Sequence, residues 1–236
     1  MRTSVIALIC AALTGAAVPG MAAAATRTFP VPGFVKLRVE GPYNVRVRTG
    51  AKAAVNARGP QSRIDKLIVE PRGDTLVVTT EKSWNWGGMK WSGDDTVYVD
   101  ITVPMLTGVT LAGSGDVTID RIRTATFSAL LTGSGDLSIG RLDSSRLSAG
   151  VTGSGDLTLA GKTGKADASV RGSGDLRATG LAVDLLTASV AGSGDISVGP
   201  TRVAKASVVG SGDIHVGGRS SCTKSKVGSG DIYCGS

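Results

Sequence analysis

One tetrapeptide, Gly-Ser-Gly-Asp, occurs seven times in this chain and governs what the chain can fold into. The copies begin at Gly113, Gly133, Gly153, Gly172, Gly192, Gly210 and Gly228, at spacings of 20, 20, 19, 20, 18 and 18 residues. A near-constant period of this length is the signature of stacked, self-similar units. Aligned on the first glycine, the flanking residues form columns. Two positions before it stand Leu111, Leu131, Val151, Val170, Val190 and Val208; four before it stand Val109, Ala129, Ala149, Ala168, Ala188 and Ala206. Four positions after it come Val117, Leu137, Leu157, Leu176, Ile196, Ile214 and Ile232, and six after it Ile119, Ile139, Leu159, Ala178, Val198 and Val216. Small polar residues such as Thr118, Ser138, Thr158 and Ser197 lie between them. Alternation on both sides of a glycine-rich bend predicts two short strands per unit, and the glycines exclude helix.

One unit has nothing to cover its apolar face, but stacked units share a continuous apolar lumen. The predicted fold is therefore all-β: a single-chain parallel β-helix of about 18–20 residues per coil, with identical columns roughly 4.8 Å apart. Right-handedness is the common expectation for such a coil. Residues 101–236 carry the seven repeats. The stretch 26–100 lacks the tetrapeptide but keeps strand patterns at Val35–Val39, Val45–Val47, Leu76–Val78 and Val97–Val103, with a turn at Gly41-Pro42 and a short helix at Gln61 to Leu67. It reads as irregular N-terminal coils and a cap, continuous with the repeats in a single domain spanning 26–236.

Residues 1–25 have the form of a secretory signal peptide. Arg2 supplies the positive start, Ser4 to Val18 are apolar or small, and Ala23-Ala24-Ala25 offers a cleavage site. Of the 26 basic and 19 acidic residues, cleavage removes only Arg2, which leaves a net charge of +6 in place of +7. The remaining bases are scattered, so a solvated mixed surface is expected and nucleic acid is not an expected partner. No later segment reads as a membrane span, and the expected location is periplasmic or secreted. Cys222 and Cys234, in an oxidising compartment, read as one disulfide across the last coil. In that coil Lys224 and Lys226 replace the Ala and Val of the inward columns, as the polar end of a solenoid requires.

The stretches Gly41 to Gly50 ("GPYNVRVRTG") and Val97 to Leu106 ("VYVDITVPML"), with the serial Gly-Ser-Gly-Asp units, resemble the putative auto-transporter adhesin head GIN domain family from Phe34 to Asp231. That resemblance implies a pectin-lyase-like β-helix, no recognised catalytic residues, no cofactor and an adhesive role. It agrees with what the residues allow. The stacked carboxylates Asp116, Asp136, Asp156, Asp175, Asp195, Asp213 and Asp231 read as structural, each tied to backbone N–H groups of its own glycine-rich bend. No metal site is expected: calcium-binding repeats have a shorter period and a different glycine–aspartate spacing. A hydrolytic triad lacks candidates, since His215 is the only histidine and falls in an outward column. The clearest break in the repeat is Arg171 and Arg177 flanking Asp175. It is the centre of the alternative reading, a polysaccharide lyase or hydrolase on the same scaffold. The three tryptophans, Trp84, Trp86 and Trp91, cluster in "SWNWGGMKWSG" and are the candidate ligand-binding residues. The expected function is that of a non-enzymatic exported module that binds a surface glycan or an envelope protein.

Overall fold

The computed structural model describes residues 25–81 and 96–235. The expected signal peptide and the tryptophan cluster at Trp84, Trp86 and Trp91 lie outside these described residues. Seventeen strands form one continuous hydrogen-bonded sheet that wraps into a β-solenoid. The repeats occupy β8 (Gly108–Gly113), β9 (Val117–Ile119), β10 (Ile122–Gly133), β11 (Leu137–Gly153), β12 (Leu157–Gly172), β13 (Leu176–Gly192), β14 (Ile196–Gly210), β15 (Ile214–Gly217), β16 (Ser221–Gly228) and β17 (Ile232–Cys234). Consecutive coils pair in parallel, and the register joins like to like. Phe127 sits on Leu147, Leu147 on Ala166, Ala166 on Leu186, Leu186 on Ala204 and Ala204 on Cys222. The alanine column Ala129, Ala149, Ala168, Ala188 and Ala206 is buried throughout, which keeps the lumen narrow. Register shifts between Ile139 and Leu142, and between Ala178 and Val183, absorb the variation in coil length. The Ser220 hydroxyl oxygen is out of solvent without a hydrogen-bond partner, and among the described residues three whole polar side chains are buried, Ser144, Thr163 and Thr201. Each of these three is satisfied: Ser144 donates to Thr163, Thr163 to the Lys165 carbonyl and Thr201 to that of Gly199.

The tetrapeptide is a corner. Its first glycine has φ between +118° and +156° in all seven copies, a region costly for any residue with a Cβ. Its second glycine faces a harder constraint. A Cβ at Gly155 would lie 2.0 Å from the Gly135 carbonyl oxygen of the previous coil, and the other copies meet the same wall at 2.0–2.2 Å. In the five middle copies the serine and second-glycine N–H groups both donate to the first-glycine carbonyl one coil back, as Ser154 and Gly155 do to Gly133 at 2.9 and 3.1 Å.

The N-terminal part departs from a simple succession of coils. β2 (Lys36–Glu40) and β3 (Tyr43–Thr49) form a coil directly beneath β8 and β9. β6 (Thr75–Thr80) and β7 (Val97–Val103), later in sequence, stack in parallel beneath β2 and β3. The first coil is thus inserted between the second and third. Beyond β6 and β7 the chain turns antiparallel: β5 (Leu67–Arg72) pairs with β6, β4 (Ala54–Gly59) with β7, and β1 (Ala25–Phe29) with β4. Helix α1 (Gln61–Ile64) links β4 to β5. These reversed strands end the parallel stack by changing the direction of pairing.

Gly41-Pro42-Tyr43-Asn44 is the first corner in a different spelling. Gly41 has φ +113°, and the Val45 N–H donates to the Asp116 carbonyl as its counterparts do in every later coil. Tyr43 occupies the place of the second glycine and is almost fully buried. In register it lies over Val97, the first residue of β7. Burial pushes the Tyr43 hydroxyl pKa up, against a hydrogen bond with Thr80 that lowers it.

The C-terminal end closes differently. Cys222 and Cys234 are joined by a disulfide across the last coil. Lys224 pairs in register with Ala206 and Lys226 with Val208. Their ammonium groups reach the rim, where Lys224 donates to the Ile232 carbonyl at 2.9 Å and Lys226 to Asp231 at 2.6 Å. Inward charge on the last strand blunts an edge that would otherwise template another chain.

Candidate functional site

Corner stacking places the seven aspartates in one line along the molecule. Each carboxylate from Asp116 to Asp213 accepts the backbone N–H of the aspartate in the next coil. The distances are 3.2, 3.1, 3.0, 2.9, 2.7 and 2.8 Å from the first pair to the last. The donor therefore comes from the neighbouring coil and not from the bend that carries the carboxylate. The cause lies in the corner geometry. In the five middle copies the glycine carbonyl one coil back is already taken by two N–H groups, so the aspartate N–H finds no main-chain acceptor and the side chain supplies one. A carboxylate accepting from an amide makes a charge-assisted bond, stronger than a neutral one. The column is thus a side-chain rung in a main-chain ladder, repeated six times.

The residues that break the repeat do not converge equally. Arg177 donates to Asp156 from one guanidinium nitrogen and to Asp175, at 2.7 Å, from the other. It clamps two successive corners, and the hydrogen bond to Asp156 raises its pKa further above the usual arginine range. Arg171, exposed on the other side of the corner, joins no ion pair with Asp175. Both carboxylates of the clamp also accept an N–H from the following coil. Neither is left with the free, desolvated environment that tunes a general acid. His215 is exposed and stacks on Tyr233 one coil on, with ring centroids 4.6 Å apart. Among the described residues no group of three or more His, Cys, Asp or Glu side chains is placed to hold a metal ion. No described helix is long and apolar enough to cross a membrane.

One feature of the surface has no counterpart in the expectations from sequence. A concavity of about 1050 Å³ lies on the outer face of β3, β7 and β9, with α1 beside it. Its floor carries Tyr98, half-exposed, amid Asn44, Arg46, Arg58 and Asp100. The signal was present in the alternation of Tyr43–Thr49 and Val97–Val103, whose outward positions hold these large side chains in place of serine and threonine. Without the register that sets β3 beside β7, nothing in the sequence joined them.

Fold and corner together define a parallel β-solenoid whose repeated acidic corner hydrogen-bonds one coil to the next. Residues 33–220 match the family described as putative auto-transporter adhesin, head GIN domain, and the chain belongs to that family. Its structure is similar to that of a protein from Bacteroides fragilis NCTC 9343 described as a putative adhesin. The TM-score is 0.80 and the identity 27%, over 89% of this chain and 96% of that one. A protein from Parabacteroides distasonis ATCC 8503, described as a putative lipid binding protein, gives a TM-score of 0.69 at 21% identity over 89% and 96%. A putative adhesin from Parabacteroides merdae ATCC 43184 gives 0.65 at 18% over 91% and 97%. The last two share the fold alone. No curated protein matches this chain.

Proposed function

We propose that this protein is an exported, non-enzymatic binding module that presents a rigid β-solenoid surface to a glycan or protein of the cell envelope or the extracellular space. The observation that carries the reading is the use made of the aspartate column. From Asp116 to Asp213 its carboxylates, the feature that looks most like repeated chemistry, each accept an N–H from the next coil, and Arg177 is held between two of them. Membership of a family described as adhesive supports the same reading. The leader-like residues 1–25 support export, and a disulfide at Cys222 and Cys234 suits an oxidising compartment. Trp84, Trp86 and Trp91 are proposed as additional ligand contacts.

The test is a binding and turnover screen on soluble polysaccharides and envelope extracts. Saturable binding without product release supports the module. Release of oligosaccharide products that disappears in Arg177→Ala would establish the lyase or hydrolase in its place. Changing Trp86 and Trp91 to Ala should weaken binding and leave thermal stability nearly unchanged; a large loss of stability would assign the indoles to covering the lumen.

A further inference from the structure

We infer that the groove over β3, β7 and β9 is an oligosaccharide-binding site centred on Tyr98, an inference that rests on the binding-module reading and names the ligand class of one surface. Outward positions on this side of the solenoid hold small polar residues in the middle coils, Thr118, Ser138 and Thr158, which pair in register, and Arg177, Ser197, His215 and Tyr233 in the coils after them. In the groove, large polar and aromatic side chains gather on three adjacent strands. Arg58, Tyr98 and Asn44 sit side by side on β4, β7 and β3, forming a row across the strands. One step along the strands, Asn56, Asp100, Arg46 and Thr118 form a second row.

The chemistry of these rows is that of a sugar site. A tyrosine half-exposed on the floor of a concavity offers a flat apolar face beside groups that hydrogen-bond in fixed planes. The axial C–H face of a pyranose ring stacks on such a surface, and its equatorial hydroxyls then reach amide, carboxylate and guanidinium groups around the rim. Asp100 is held in place by Arg58 at 2.9 Å, which pre-organises an acceptor next to the ring. Among the described residues Arg46 joins no ion pair and Asn44 makes no side-chain hydrogen bond, so both have donors to offer. At about 1050 Å³ the concavity reaches the top of the roughly 300–1,000 Å³ range of small-ligand sites, and its open form suits several linked rings better than one. The groove is made of strands in a fixed ladder, so it needs little reorganisation on binding.

The inference is tested by titrating the full exported chain with soluble xylan, pectin, alginate, dextran and chitin oligosaccharides, with anionic lipid vesicles run in parallel. The wild type should bind at least one of these carbohydrates. Tyr98→Ala and the double change Asn44→Ala with Arg46→Ala should each weaken that binding by about tenfold or more, and Tyr98→Phe should keep it. Circular dichroism and the urea midpoint should not move in any of them. Carbohydrate binding that survives Tyr98→Ala but is lost when Trp86 and Trp91 become Ala overturns the groove and leaves the binding-module reading intact. Binding to an envelope protein with no carbohydrate bound does the same. Binding to vesicles alone overturns both.

Discussion

Replacing Asp136 separates the two things a stacked carboxylate does. Its Oδ1 accepts the Asp156 N–H at 3.1 Å, and its charge faces Asp116 and Asp156 across one strand spacing. Asp136→Ala removes the acceptor of a charge-assisted bond at an exposed N–H, a loss of about 1–3 kcal/mol. It also removes two like-charge repulsions at roughly 4.8 Å, each about 1 kcal/mol in dilute buffer. The net destabilisation of the alanine variant should therefore be small at low ionic strength. It should rise towards the full 1–3 kcal/mol at about 1 M salt, where the screening length falls to roughly 3 Å. Asp136→Asn keeps an acceptor oxygen and removes only the charge. It should stabilise by up to about 2 kcal/mol at low salt, where both repulsions are relieved, and be neutral at high salt. The decisive quantity is the difference between the two variants, about 1–3 kcal/mol at every salt concentration. Urea unfolding followed by circular dichroism measures it, provided the slope of the transition is unchanged. If asparagine destabilises as much as alanine, the rung is not carrying the column and the charge has another role.

Further consequences follow from the same contacts. Gly155→Ala drives a Cβ into the Gly135 carbonyl and should prevent soluble folding or lower the urea midpoint severely, whereas Gly33→Ala meets nothing within 4 Å and should be silent. Reducing the Cys222–Cys234 bond should remove about 2–4 kcal/mol of protection. The loss should be confined to β16 and β17 in hydrogen exchange and absent from β11. Lys226 holds the Asp231 carboxyl below its usual pKa, chiefly through their hydrogen bond. The stability this pair adds is therefore present above the ordinary carboxylate range and is lost as pH falls through the depressed value. Lys226→Ala should return the Asp231 titration, followed by NMR, to the ordinary range; an unmoved titration would show that the pair does not form in solution.

The parts of the fold that were legible are those where one physical constraint repeats. A second glycine that any Cβ would drive into the coil below must recur at every corner, so the period and the columns could be counted. Cys222 and Cys234 fell into inward columns by that counting alone, and they are bonded. The N-terminal coils were harder because their corner is spelled Gly-Pro-Tyr-Asn, with Tyr43 where the steric rule demands glycine everywhere above it. Insertion of β2 and β3 between later coils leaves no local trace, since a parallel ladder records which strands are neighbours in space and not in sequence. The same gap hid the groove. Arg58, Tyr98 and Asn44 are far apart along the chain and meet only through the β4–β7–β3 register. The carboxylate column was visible, but its donor was not, because an N–H from the next coil and one from the same bend leave the same tetrapeptide.

The claim that matters most is that this repeat is scaffold and that the molecule's work is binding. The most direct measurement incubates the wild type and Arg177→Ala with the same polysaccharide panel and records bound ligand and released product in each sample. The account predicts saturable binding by both proteins with equal affinity and no product from either. Product formed by the wild type and abolished in Arg177→Ala would contradict it.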